Sequence, residues 1–308
     1  MAVLAVGWVS ITWLPPLLRG QDSTPPPPAT PSEPGIILRP EPNPPTEGTL
    51  AWLHLSTSSA TAVPGGEAGG EPLHFQRSAA GRFRALLAIP VEIVDSLPVS
   101  IFLSDSGRTD TIVTVVPVRQ AGYASEVLSV APRYARPDSA AAARIQSEIA
   151  RSREISRQSQ ERPRIWRGGF RLPRPSRVTS PFGSARVFNG EVQSRHLGTD
   201  FAGAVGAPVR AAGRGVVALV ADFYLAGHAV YVDHGAGLVT GYFHLSRSYV
   251  KEGDTVVAGQ RIGAVGKSGR VTGPHLHWIA RYGAISIDPM SLLGLEKSAP
   301  GAGSKKPT

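Results

Sequence analysis

Short apolar runs separated by glycine, proline, aspartate and serine fill most of this 308-residue sequence and constrain its fold more than any other feature. Between 48 and 118 they include LHFQRS, FRALLAIPV and TDTIVTVVPV, and between 163 and 293 they include GVVALVAD, HAVYVDHG and LVTGYFHLS. Short or alternating apolar segments bounded by turn residues indicate β-strands. The sequence therefore predicts a mostly β protein.

The first part of the chain has a different composition. Residues 1–20 contain an apolar run of signal-peptide length without a preceding Lys or Arg, which leaves a cleaved export signal, an uncleaved membrane anchor or a buried element as alternatives. Residues 21–47 contain STPPPPATPSEPG and RPEPNPP, a proline density that favours an extended linker. We expect export, with membrane attachment through the first segment as an alternative to cleavage.

The remaining boundaries follow changes in pattern. Residues 48–122 predict a small β-sandwich-like domain, and 123–162 predict a helical connector whose helix covers 137–160 with Asp138 as its cap. The glycine-rich segment 163–293 predicts a second β domain, and we expect a disordered tail at 294–308. No pattern in the sequence indicates the oligomeric state.

The charge balance suggests an anionic partner. The formal net charge is +9, and residues 163–300 carry sixteen Lys and Arg against eight Asp and Glu. Nucleic acid, membrane headgroups and an acidic polymer such as a cell wall would all suit this charge, and a solubilising surface is the simpler alternative. The sequence contains no aromatic RNA-binding motif and no zinc-finger spacing, which argues against nucleic acid. Because cysteine is absent, any metal site must use His, Asp and Glu.

Two short motifs place candidate metal ligands in the second β domain. In TGPHLHW, His275 and His277 share one face of a strand, so both can bind one metal, or one can bind while the other handles protons. In SRHLGTDFAG, His196 and Asp200 lie at the two ends of a loop that runs into a strand, and Gly198 argues against a helix there. Taken singly, each motif also fits surface or turn residues.

A third motif adds to this set. In GYFHLS, His244 lies in an alternating run and shares a face with Tyr242. Six of the eight histidines fall between 196 and 277. Together the motifs supply His, Asp and His for a tetrahedral zinc with an open position for water, and they leave two histidines for acid–base work.

These motifs in this order resemble the M23 peptidases, the lysostaphin/LytM-type zinc endopeptidases of bacterial cell walls. RVTSPFG, VDHG, KEGDTVVAGQRIGAVGKSG and the closing IDP add to the resemblance, which covers about 170–293. It implies an antiparallel β-sheet domain with a groove over the metal. It further implies His196, Asp200 and His277 as zinc ligands and His275 and His244 as catalytic residues that do not bind the metal.

The resemblance also implies a mechanism and a location. His275 would accept the proton of the zinc-bound water, His244 would stabilise the oxyanion with Tyr242 as a helper, and His234 would be structural. We therefore expect a zinc-dependent endopeptidase that hydrolyses the peptide crosslinks of peptidoglycan in the periplasm or cell envelope.

Two other functions stay open at this point. One is a non-catalytic LytM module that binds and activates a cell-wall amidase, although such modules usually lose zinc ligands and all five positions are intact here. The other is a protease that acts on proteins outside the wall.

Overall fold

The computed structural model describes residues 35–128, 130–135, 137–188 and 192–295. The predicted signal or anchor segment 1–20, the first part of the predicted linker and nearly all of the predicted tail lie outside the described residues. Within the described ranges, no helix combines the length and the apolar character that a membrane crossing requires.

Two four-stranded antiparallel sheets form the first part of the described chain. The strands are β1 (Ile36–Glu41), β2 (Leu50–Thr57), β3 (Val63–Ala68), β4 (Glu71–Pro72), β5 (Gln76–Ala79), β6 (Arg82–Ala88), β7 (Ser96–Asp105) and β8 (Arg108–Pro117). The sheet orders are β1-β2-β6-β5 and β4-β3-β7-β8. In β7 buried and exposed residues alternate, so that Val99 and Ile101 face a core shared with Leu53, Leu55 and Phe83 of the other sheet.

The linker prediction is wrong for residues 36–41, because β1 pairs with β2 along its whole length. Leu38 packs against the core between the sheets, which gives the strand an apolar anchor. Pro40 is tolerated because β1 is an edge strand. Proline lacks a backbone N–H, and an edge strand has a side on which no neighbouring strand requires that donor. Proline density alone therefore overstated the length of the linker.

The connector contains one strand and two helices. These elements are β9 (Ser125–Leu128), α1 (Pro132–Ala135) and α2 (Ser139–Gln160). The Asp138 side chain accepts a hydrogen bond from the Ala141 N–H at 2.8 Å and caps α2, as its position in the sequence predicts. At the other end, the buried carboxylate of Asp233 accepts hydrogen bonds from Ser159 and Arg162 and ties α2 to the second β domain.

The second β domain contains twelve strands and a short 3₁₀ helix. They are β10 (Val178–Ser180), β11 (Ala185–Phe188), β12 (Val192–Arg195), β13 (Thr199–Ala202), β14 (Pro208–Arg210), β15 (Gly215–Phe223), β16 (Gly227–Gly235), β17 (Leu238–Ser248), β18 (Thr255–Val256), β19 (Arg261–Val265), β20 (His275–Tyr282), β21 (Ile285–Ile287) and the helix Pro289–Gly294. The main sheet has the order β10-β13-β20-β17-β16-β15-β18, with β14, β19 and β21 paired beside it. A small sheet has the order β12-β11-β9 and thus includes the connector strand. The prediction of a mostly β chain with antiparallel sheets is confirmed.

The first sheet packs directly on the second β domain. Leu50, Trp52 and Leu86 belong to the same apolar cluster as Trp166 and the strands of the main sheet. The indole N–H of Trp52 donates to the Leu295 carbonyl at 3.1 Å, and the Trp52 and Trp166 rings lie 6.3 Å apart. One face of the first sheet therefore belongs to the core of the second β domain, while the core between the first two sheets forms a separate cluster.

Candidate metal centre and groove

Neighbouring strands bring the three predicted metal ligands together. Asp200 of β13 and His277 of β20 are partners across an antiparallel pair, and His196 lies in the loop between β12 and β13. Gly198 in that loop allows the close approach, since a Cβ there would lie 2.5 Å from Cε1 of His277. The fold thus joins residues that the sequence separates by 77 and 81 positions.

Three ligand atoms converge at this point. Nε2 of His196 lies 3.1 Å from Oδ1 of Asp200 and 3.0 Å from Nδ1 of His277, and the last two atoms are 2.6 Å apart. Nδ1 of His196 lies 2.9 Å from the Pro181 carbonyl and must donate to it, so Nε2 directs a lone pair at the other two atoms. The set is two imidazole nitrogens and one carboxylate oxygen, as in catalytic zinc sites.

The dimensions suit a zinc ion. Zinc bonds of about 2.0–2.1 Å in a tetrahedron separate the ligand atoms by roughly 3.3 Å, so small outward movements of these side chains would accommodate the ion. Metal ligands must be deprotonated, and a cation bound here would displace the proton that His277 and Asp200 share. These residues therefore fit the metal that the sequence predicts.

The electrostatic environment favours the metal-binding form of two ligands. Burial alone would raise the pKa of Asp200, but its interactions with His277 and His196 outweigh burial and hold this pKa far below its ordinary range. Burial lowers the pKa of His277 to about 4 against the opposing attraction of Asp200. An ionised carboxylate and a neutral imidazole are the forms that bind a divalent cation.

The two remaining predicted histidines stand beside the ligands. Nε2 of His275 lies 3.7 Å from Oδ1 of Asp200, and the His275 and His244 rings are 4.9 Å apart. Nδ1 of His275 donates to the Gly273 carbonyl and Nδ1 of His244 donates to the Ser268 carbonyl, each at 2.8 Å. Because the Nδ1 proton of each ring is held in this way, Nε2 carries the lone pair of the neutral form and is the atom available for proton transfer.

A groove of about 680 Å³ opens over these side chains. Asp200, His244, His275 and His277 line it, together with residues 126–128 of β9 and the loop 270–274. Pockets of this volume commonly hold small ligands or short peptide segments. The arrangement provides a cation site, two proton-carrying groups and room for a substrate along one open surface.

The prediction that Tyr242 helps in the groove is wrong. Its side chain is fully buried in the core, and its hydroxyl accepts the Ala212 N–H at 2.7 Å. Strict alternation would place Tyr242 and His244 on one face, but His244 has a positive φ of 61° that turns its side chain into the groove. Phe243 lines the groove instead, with its ring 5.4 Å from that of His277.

The other histidines stand away from the converging ligand atoms. His234 is buried, with Nδ1 donating to the Arg214 carbonyl at 2.7 Å and Nε2 lying 2.8 Å from the Thr240 hydroxyl. His228 pairs with Asp222 at 2.8 Å. His54 and His74 belong to the first β region, where they contact Glu41 and Gln160.

Three polar residues around the site were assigned no role from the sequence, although Ser180 lies in the RVTSPFG motif. Ser180 lies 2.9 Å from Nδ1 of His196, Arg186 donates to Oδ2 of Asp200 at 2.9 Å, and Glu126 contacts both Ser180 and Arg186. They occupy short strands that carry no metal or catalytic spacing. Only the pairing of β9 with β11 shows that Glu126 lies next to this site.

Comparison with known proteins finds a family match in the same region. Residues 194–289 match Peptidase family M23. The peptidoglycan DD-endopeptidase ShyA of Vibrio cholerae is 51% identical over 83 residues, which cover 27% of this chain and 19% of that protein. The DD-carboxypeptidase/endopeptidase Mpg of Neisseria meningitidis is 38% identical over 128 residues, which cover 41% of this chain and 30% of that protein. The chain thus matches less than a third of the length of either relative.

A solved structure extends the likeness to the first β region. The crystal structure of a Pseudomonas aeruginosa protein, described as a candidate M23 peptidase, is 25% identical with a TM-score of 0.62. The superposition covers 82% of this chain and 96% of the other chain, which is far more than the segment 194–289.

Proposed function

We propose that the chain is a zinc-dependent endopeptidase that hydrolyses peptide crosslinks of bacterial peptidoglycan. The premise is that residues 194–289 belong to peptidase family M23. One observation carries this proposal: His196, Asp200 and His277 converge, and Asp200 and His277 line a groove that His244 and His275 also line. A purely structural cation site would not need an open groove or two further histidines.

The side chains can divide the hydrolysis among them. A bound zinc ion would supply a Lewis acid that lowers the pKa of water toward about 7. Nε2 of neutral His275 accepts the proton of the attacking water and passes it to the departing amine, because its Nδ1 proton is held by the Gly273 carbonyl. His275 is therefore the catalytic acid–base group of this proposal.

His244 would stabilise the negative charge that develops on the substrate carbonyl oxygen. Burial, together with the neighbouring His277 and His275, lowers the pKa of His244, so the ring is neutral before reaction. Its Nε2 can donate a hydrogen bond only after it takes up a proton from solvent; the developing oxyanion favours that form, and the proton returns to solvent when the oxyanion collapses. His244 would then stabilise charge in the transition state more than in the bound substrate.

The substrate class comes from the named relatives. ShyA and Mpg are described as a peptidoglycan DD-endopeptidase and a DD-carboxypeptidase/endopeptidase, which supports a D,D-peptide crosslink as the bond cleaved. The net charge of +9 suits an anionic wall polymer. Action on peptidoglycan would require a location outside the cytoplasm, which supports the periplasm or cell envelope as the proposed location.

Digestion of purified crosslinked muropeptide dimers tests the proposal. We expect the full chain with zinc to release monomers identifiable by mass spectrometry, and we expect His277→Ala to lose both bound zinc and cleavage. Asp200→Asn should likewise lose bound zinc and cleavage. Its matched control is Asp222→Asn, because Asp222 is an exposed carboxylate that pairs with the histidine His228. Zinc-loaded chain that leaves the dimers intact under all conditions would refute the proposal.

The alternative of a non-catalytic activator predicts a different result. In that case the purified chain would bind little zinc and would stimulate an added cell-wall amidase without cutting crosslinks itself. The intact ligand set speaks against this alternative, and zinc content measured beside amidase stimulation separates the two functions.

A further inference from the structure

The connector strand β9 forms part of the metal centre although it lies outside the matched segment 194–289. It runs parallel to β11, and Glu126 is the register partner of Arg186. The Ala185 N–H donates to the Ala124 carbonyl at 2.8 Å and extends this pairing. Glu126 is thereby held at the wall of the groove.

The Glu126 carboxylate reaches two of the three candidate ligands through one intermediate residue each. Ser180 Oγ lies 2.9 and 3.0 Å from the two carboxylate oxygens, and the same Oγ lies 2.9 Å from Nδ1 of His196. On the other side, Nε of Arg186 lies 3.5 Å from Glu126, and its Nη2 donates to Oδ2 of Asp200 at 2.9 Å. One carboxylate therefore supports both His196 and Asp200.

The charges next to Glu126 explain how its carboxylate would affect cation binding. The Arg186 side chain is 14% exposed and the Asp200 side chain is 8% exposed, so both charges are largely removed from water. A bound cation and Arg186 would compete for the single negative charge of Asp200. Glu126 supplies a second negative charge for Arg186, which leaves Oδ1 of Asp200 free to serve the cation.

We propose that Glu126 is a positioning residue of the metal centre, which the connector contributes and which acts through Ser180 and Arg186 on two ligands. The inference rests on the metal dependence of the proposed function but not on the bond that is cleaved. Removal of a supporting partner of this kind typically weakens metal binding about 10- to 100-fold.

The test compares two matched charge removals in the full chain. Glu126→Gln keeps the side-chain shape and an acceptor for Ser180 but removes the charge. Glu92→Gln is the control, because Glu92 pairs at 2.6 Å with Arg195, next to His196 in sequence, and contacts no ligand side chain. The zinc dissociation constant, measured by competition with a chelator, should rise about tenfold or more for Glu126→Gln and stay within twofold of wild type for Glu92→Gln.

A second measurement separates positioning from simple packing of β9. If Glu126 only anchors the strand, Glu126→Gln will lower the melting temperature of the metal-free chain and leave the zinc dissociation constant unchanged, which would overturn the proposal. If Glu126 acts through Arg186, adding Glu126→Gln to Arg186→Gln will weaken zinc binding less than Glu126→Gln does alone. Equal effects in both backgrounds would contradict the route through Arg186.

Muropeptide cleavage measured at saturating zinc distinguishes a failure of the proposed endopeptidase activity from a failure of the proposed role of Glu126. A wild-type chain that binds zinc but leaves muropeptides intact would refute the proposed endopeptidase while the zinc measurements still decide the role of Glu126. A wild-type chain that binds no zinc would refute both.

Discussion

Oδ1 of Asp200 lies 2.6 Å from Nδ1 of His277, because β13 and β20 pair in a register that sets these two residues opposite each other. The same oxygen lies 3.7 Å from Nε2 of His275, two positions along β20. The strand β20 therefore contributes His277 to the ligand set and His275 to the groove beside it. This geometry gives different expectations for the two histidines of a single motif.

His275→Ala should remove catalysis and leave the metal in place. Its Nε2 is 3.7 Å from Asp200 Oδ1, and it is not one of the three atoms that converge. We expect turnover of muropeptide dimers to fall about a hundredfold or more, with zinc content equal to that of wild type. His277→Ala should lose zinc as well, so a His275→Ala chain that also lacks zinc would contradict the division of roles.

Tyr242→Phe should leave turnover unchanged and weaken the fold. The Tyr242 ring is fully buried, and its hydroxyl accepts the Ala212 N–H at 2.7 Å, so the substitution leaves a buried donor unpaired. The expected loss in the free energy of unfolding is about 1–2 kcal/mol, measurable by denaturant titration. A fall in kcat without a loss of stability would restore Tyr242 as a participant in catalysis.

The sequence predicted the β architecture and the ligand motifs because both depend on local patterns. Alternation over strands such as β7 indicates a face, and the H-x-H spacing of His275 and His277 places two imidazoles on the same side of β20. The same rule failed for Tyr242, because the positive φ of His244 interrupts the alternation and is not visible in the residue types.

Local sequence patterns could not predict contacts between residues that are far apart in the sequence. Glu126 and Arg186 are sixty positions apart, and only the parallel pairing of β9 with β11 joins them. The linker prediction likewise used proline content, whereas the β1 strand depends on its partner β2 and on the apolar contact of Leu38. A strand that is stabilised by its partner has little signal of its own.

His234 should make stability depend on pH in weakly acidic solution. Burial lowers the pKa of His234 to about 4, below its ordinary value of 6.5. Between those two values the unfolded chain binds a proton that the folded chain does not, so the free energy of unfolding falls as the pH falls. The change amounts to roughly 3 kcal/mol across this window.

His234→Gln checks this assignment, because it removes the titrating ring. Other buried histidines also contribute to the pH dependence, so the quantity to compare is the difference between the two proteins. Denaturant titrations of both chains between pH 7 and pH 4, with a chelator present, should give a smaller decrease for His234→Gln by roughly 3 kcal/mol. Parallel pH curves would show that His234 is protonated in the folded chain.

Gly198→Ala should disturb the metal centre more than the fold as a whole. A Cβ at this position would lie 2.5 Å from Cε1 and 2.7 Å from Nε2 of His277, so the ring must leave its present position beside Asp200 and His196. Gly294→Ala is the control, since nothing lies within 4 Å of a Cβ there. We expect the zinc dissociation constant of Gly198→Ala to rise at least tenfold, with little change for Gly294→Ala. Wild-type zinc affinity in Gly198→Ala would mean that the His277 ring tolerates displacement and that the ligand geometry is less constrained than the strand pairing indicates.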